Sequence, residues 1–226
     1  MNTFRVLSAL LTYPSEYLVA SLPEMKSVLE AEGLLPAALR AGLERLFSEL
    51  ADLDIYDLQA RYVELFDQYR ALSLHLFEHV HGESRDRGQA MVSLLERYRE
   101  AGLDLRANEL PDFLPVFLEY LSQLPIAEAR TELAEPVAVI STLARRLAKR
   151  ESSYAAVLAA LEHLAQAAPA QADLDQLAGE EAEDTAARQA LDVEWQEEPV
   201  DFSRREASFV GRQRARSLGA ALRKEQ

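Results

Sequence analysis

Leu58-Gln59-Ala60-Arg61-Tyr62-Val63-Glu64-Leu65-Phe66-Asp67-Gln68-Tyr69 carries the pattern that decides the fold. Leu58, Tyr62, Leu65, Phe66 and Tyr69 recur at helical spacing, and Leu72, Leu76, Phe77 and Val80 continue the period toward Gly82. Side chains three and four residues apart share one face of an α-helix. The spacing therefore predicts one long helix, capped by Asp52 or Asp54 and stopped at Gly82.

Upstream, Phe4, Leu7, Leu10 and Leu11 form a helical stripe that Pro14 ends. Ser15 is placed to cap a short helix bearing Tyr17, Leu18 and Leu22. Pro23 suits the first turn of the next helix, and Gly33 its end. Pro36 opens another, with Leu39, Leu43, Leu46, Phe47 and Leu50 on one face. Downstream, Ser84 suits the cap of a helix whose core face is Met91, Leu94, Leu95 and Tyr98, ending at Gly102. Asp112 reads as the N-cap of a helix through Phe117, Tyr120, Leu121 and Leu124, with Pro115 in its first turn, where no backbone bond is lost. Val137, Ile140, Leu143 and Leu147 mark a further helix, kinked at Pro136. Tyr154, Val157, Leu158, Leu161 and Leu164 mark the last, stopped near Pro169. β-branched residues are sparse and no period-two run flanks a turn pair. The expectation is an all-α, irregular single-domain helical bundle with a flexible C-terminal tail.

The chain has 226 residues, 49% of them hydrophobic, a formal net charge of -14 and no cysteine. Disulfides, thiolate metal sites and a cysteine nucleophile are excluded. An acidic surface repels nucleic acid and anionic membrane and favours basic partners. No apolar run reaches the ~20 residues of a membrane span. Met1-Asn2-Thr3-Phe4-Arg5 does not begin a signal peptide, so a cytoplasmic location is expected. Composition shifts at Pro169: residues 169–226 hold eight basic and thirteen acidic residues, net -5, leaving -9 on residues 1–168. Acid dominates 173–201 and base dominates from Arg204 onward. Residues 1–168 are thus expected to be the helical domain. Residues 169–226 are expected to be a partly disordered charged tail, whose Trp195–Phe202 stretch is apolar enough to dock on the body.

Three constellations bear on chemistry. His75-Leu76-Phe77-Glu78-His79 has the H-x-x-E-H spacing, which places two imidazoles one helical turn apart with Glu78 as general base. It gives the alternative reading of a zinc-dependent hydrolase, although nothing singles out a third ligand among Glu119, Glu128 and Glu151. Gly82-Glu83-Ser84-Arg85-Asp86-Arg87-Gly88 lacks the lysine and the preceding strand of a phosphate loop, and reads as a helix–helix turn. With His79 and His81, its Glu83, Arg85 and Arg87 form a candidate partner contact. Glu109 and Asp112 are a carboxylate pair with no nearby nucleophile to complete a catalytic site. By spacing alone Tyr62, Leu65 and Phe66 read more readily as buried core than as an apolar binding stripe.

Tyr62-x-x-Leu65-Phe66, followed by Glu109-x-x-Asp112, resembles the TorD/DmsD-like redox-enzyme maturation chaperones. The stretches Ser73–Met91 and Glu109–Leu121, with Leu10-Leu11-Thr12-Tyr13-Pro14 and Trp195–Phe202, are similar to the nitrate reductase molybdenum cofactor assembly (NarJ, or delta-subunit) branch. The resemblance covers most of residues 3–202. It implies a non-catalytic chaperone that binds the N-terminal segment of the nitrate reductase catalytic (alpha) subunit. The client would be kept competent for molybdenum cofactor insertion. The molybdopterin cofactor would be handled only through the partner and not bound stably, and cofactor-delivery proteins are further implied partners. Carried over by position, the peptide-binding residues are Tyr62, Leu65, Phe66, Glu109 and Asp112; Asp67, Tyr69, Phe113 and Glu119 join them from the spacing. Phe113 stands where the wider family often has histidine, so a hydrogen-bonding role is not carried over there.

Overall fold

The computed structural model describes residues 1–81, 85–105 and 109–178. Among them lie the α-helices α1 Asn2–Leu10, α2 Glu16–Glu32, α3 Ala37–Asp52, α4 Ile55–Phe66, α5 Leu76–His81, α6 Arg85–Glu100, α7 Leu114–Gln123, α8 Ile126–Ala134, α9 Val137–Lys149 and α10 Ala155–Ala165. A 3-10 turn, Arg70–Leu72, lies between α4 and α5. Among the described residues the chain is all-α, with one isolated antiparallel bridge, His75 to Phe113.

Local chemistry sets several helix ends as expected. Ser15 Oγ accepts from the Leu18 amide at 3.2 Å, and Asp54 Oδ1 from the Tyr56 amide at 2.9 Å. Gly33 and Gly102 close α2 and α6 with φ of 63° and 78°, a region that costs a β-carbon strain. Gly82 and Ser84 lie outside the described residues.

Three expectations fail. The break at Pro23 does not occur: α2 runs through it from Glu16 to Glu32. Proline inside a helix costs about 3 kcal/mol. Leu18, Leu22 and Leu29 are all buried on one stripe of α2, and their burial on both sides of Pro23 outweighs that cost. The long helix predicted from Asp54 to Gly82 is also broken. It stops at Phe66, turns through Arg70–Leu72 and extends across Ser73–His75 before α5. Pairing with a distant segment displaces the helical bonds: Leu114 N–H donates to Leu74 O at 2.8 Å, and Leu76 N–H to Asp112 O at 2.9 Å. Pro136 ends one helix and begins the next instead of kinking one.

α1 packs on α7, α10 on α9, and α3 on α10. Phe4, Leu7, Leu10 and Leu11 from α1 and its end meet Leu114, Leu118 and Leu121 of α7 within one core, all at 2% exposure or less. Ser8 Oγ donates to Pro115 O at 2.7 Å inside this contact. The compact unit containing the described residues runs from Met1 to Ala182, past Pro169. Residues 171–178 are helical, with Leu174 and Leu177 buried. Arg146, itself buried, donates to Ala71 O at 2.7 Å and Leu177 O at 2.8 Å. The Trp195–Phe202 stretch lies outside the described residues.

Candidate functional site

The predicted site residues separate into three groups. The first is built on α4. Tyr62 and Phe66 are 5% exposed, and Leu65 is half-buried. The Tyr62 hydroxyl donates to Leu11 O at 2.8 Å. Its ring meets Tyr13 at 5.6 Å, Phe66 at 4.9 Å and Tyr154 at 6.4 Å, and Phe66 meets Tyr154 edge-on at 5.2 Å. This aromatic box fastens α4 to the end of α1 and to the start of α10. Burial pushes the Tyr154 phenol up to about 12 and raises that of Tyr62 further. In this conformation both motif aromatics are core. Asp67 and Tyr69 are exposed beyond them, and the Arg150 guanidinium stacks over the Tyr69 ring at 5.0 Å.

The second group is a polar junction centred on Asp112, which is fully buried. Asp112 does not cap α7 as expected; the N-cap position there is Phe113, without a side-chain bond. Its carboxylate turns to α5, where Oδ2 accepts from the Phe77 amide at 3.2 Å and Oδ1 faces His75 Nδ1 at 3.3 Å. Arg87 Nη2 lies 3.6 Å from Asp112 and 3.3 Å from Glu78. His79 Nε2 donates to Ser73 O at 2.8 Å, which fixes its proton on that nitrogen. Phe113 stacks on His75 at 5.2 Å, and His81 meets Phe77 at 5.6 Å. Of the proposed partner-contact residues, Arg85 is exposed, His81 and Arg87 are half-buried and His79 is buried. Glu83 lies outside the described residues. His75, Glu78 and His79 each face a protein partner. Among the described residues no three histidine, aspartate or glutamate side chains are grouped as a metal ion requires.

The third group is a cleft of about 270 Å³ between the end of α6 and α7. Glu109 and Glu119 line it together, ten residues apart in sequence. Asp104 adds a third carboxylate, and Tyr98, Tyr120 and Val116 form the walls. The Tyr98 hydroxyl donates to Pro111 O at 2.7 Å, and its ring meets Tyr120 at 4.8 Å. Burial raises the Tyr98 phenol far above its ordinary value, so it stays neutral. Carboxylates over aromatic walls suit an ammonium or guanidinium group. Asp104 escaped the sequence reading because a lone aspartate after a glycine turn carries no motif.

The arrangement is all-α, with acids and aromatics at its surface and with His75, His79 and His81 each set against a neighbour in the fold. Residues 32–160 match the family model described as nitrate reductase delta subunit. The chain is 46% identical over 198 residues to the nitrate reductase molybdenum cofactor assembly chaperone NarJ of Escherichia coli (strain K12), covering 87% of this chain and 83% of that protein. It is 39% identical over 203 residues to the probable nitrate reductase molybdenum cofactor assembly chaperone NarW of the same strain, covering 89% and 84%. A crystal structure from Archaeoglobus fulgidus, described as a candidate redox enzyme maturation protein, aligns with a TM-score of 0.49 at 23% identity over 70% of this chain and 89% of that one. The chain belongs to the nitrate reductase delta subunit family. The two relatives are named an assembly chaperone and a probable assembly chaperone, which tells against the hydrolase alternative.

Proposed function

We propose that the protein is a nitrate reductase assembly chaperone that binds the N-terminal segment of the catalytic subunit. It keeps that subunit competent for molybdenum cofactor insertion, in the cytoplasm, without holding the cofactor stably itself. Cofactor-delivery proteins are further partners of the complex. The observation that carries the reading is the 46% identity to a named assembly chaperone across 87% of the chain. The acidic balance of residues 1–168 and the cleft at Glu109 and Glu119 support a basic client. The cleft has room for one cationic side chain.

Calorimetric titration with a synthetic peptide of the catalytic subunit's N-terminal segment tests this. Saturable binding at micromolar protein, weakened but not abolished by added salt, is the expected result. Charge attraction is screened over ~10 Å at 0.1 M, whereas apolar burial is not. No binding by the unaltered protein sinks the peptide reading. Recovery of the catalytic subunit with the protein from an anaerobically grown nitrate-respiring extract checks the client independently.

A further inference from the structure

We infer that the client's basic amphipathic segment lies on an exposed tyrosine surface formed by the α1–α2 turn and the start of α4. This rests on the peptide-binding reading above. It places the segment at the outer edge of the aromatic box, where Tyr13 meets Tyr62, and not in the acidic cleft.

Size and burial count against the two other locations described above. Tyr62 and Phe66 are enclosed at 5% exposure and offer a ligand no apolar area in this conformation. The cleft is only about 270 Å³, below the usual range even for a drug-sized ligand. An amphipathic helix needs a row of apolar contacts at the spacing of its own turns. Such area lies at Tyr17, 83% exposed, Tyr56, 77%, and Tyr13, 50%, with Leu53 beside them in sequence at the α3–α4 junction.

The backbone that carries these side chains is held. Ser15 caps the first turn of α2, which carries Tyr17, and Asp54 caps the first turn of α4, which carries Tyr56. The two turns are tied together, because Gln59 Nε2 donates to Pro14 O at 2.9 Å and Tyr13 packs edge-on against Tyr62. Tyrosines have only two side-chain torsions to immobilise on binding and are favoured at the energetic centres of interfaces.

Charge selects the occupant. Residues 6–25 and 46–60 contain no lysine or arginine, and they carry Glu16, Glu49, Asp52, Asp54 and Asp57. Arg61, one turn beyond, is turned to Glu49 at 3.5 Å. A second copy of this chain would bring the same acids against themselves. A segment with alternating basic and apolar side chains fits: its cations meet the aspartates and the tyrosine faces, and its apolar stripe covers the rings.

The test uses the full-length protein and the synthetic N-terminal peptide of the catalytic subunit. Y17S/Y56S removes two exposed rings, so its circular dichroism and melting temperature stay those of the parent. Its peptide affinity is expected to fall about tenfold or more. D57N is expected to flatten the salt dependence of binding with little change in fold. Unchanged affinity in Y17S/Y56S, with or without a loss in E109Q/E119Q, overturns the inference and leaves the chaperone reading standing. Absence of binding by the unaltered protein overturns both. A dimer in sedimentation that Y17S/Y56S disperses, with peptide affinity unchanged, reassigns the surface to self-association and also overturns it.

Discussion

Asp112 caps a helix that is not its own: its carboxylate accepts the amide of Phe77, thirty-five residues earlier, and lies wholly inside the protein. The acid is thus the joint between the extended stretch before α5 and the segment that leads into α7. Arg87 and His75 beside it are only half-buried, so the main cost of removing the carboxylate is the Phe77 amide left without its acceptor, about 1–3 kcal/mol. Asp112→Ala should lower the unfolding free energy by about 2 kcal/mol in urea titration. Asp112→Asn, which can still accept from Phe77, should cost less. Equal stability of Asp112→Ala and the parent would show that the joint contributes nothing.

Phe66 is enclosed by Tyr62 and Tyr154. Phe66→Ala should destabilise by about 3–5 kcal/mol through the cavity it opens. Tyr62→Phe should cost about 1 kcal/mol, since it leaves Leu11 O without its buried donor. Thermal melts of both variants check this. Peptide affinity, measured below their melting temperatures, should stay near that of the parent.

Alkaline pH should unfold the protein through its buried phenols. Tyr154 is pushed up to about 12 by burial, and Tyr62 and Tyr98 are raised further, from the ordinary phenol value of 10.0. An acid whose folded value lies above its unfolded one keeps its proton longer in the folded state. The associated stability is complete below pH 10 and is lost as pH rises through 10 toward the folded values. Circular dichroism against pH, with phenolate absorbance followed in parallel, should show cooperative unfolding beginning above pH 10. Tyr154→Phe should move the transition upward if its own packing is preserved.

The expected boundary near Pro169 can be tested by truncation. A chain ending at residue 169 should keep its helical dichroism, because α1 to α10 are retained. It should melt at lower temperature, because Leu174 and Leu177 are buried and Arg146 bonds Leu177 O. Full burial of a leucine contributes about 1.5–3 kcal/mol. Collapse of the helical signal would place the end of the folding unit beyond residue 169.

What could be read from the sequence was local. Ser15, Asp54, Gly33 and Gly102 mark helix ends through side-chain or backbone chemistry confined to neighbouring residues, and each acts where its type implies. What could not be read was imposed from a distance. The apolar period runs unbroken from Leu58 to Val80, yet the helix stops because residues 74–76 pair with 112–114. Pro23 is a local stop signal overruled by leucines on either side of it. Tyr62 and Phe66 have the spacing of a core stripe and of a ligand stripe alike, and only their neighbours decide between the two. Glu109 and Glu119 were named separately, and their shared cleft exists only once α6 and α7 meet.

The contact between α1 and α7 has a consequence during synthesis. More than a hundred residues separate Ser8 from its acceptor Pro115. At about 5–20 residues per second, a ribosome takes roughly 5–20 s to supply that partner. Until then Phe4, Leu7 and Leu10 have no α7 to cover them, and the nascent chain presents an amphipathic helix of its own. A helper of other proteins' assembly thus passes through a stage in which it resembles the kind of segment it is proposed to shelter. Its birth should be sensitive to trigger-type holdases and to translation speed across the codons for residues 10 to 115.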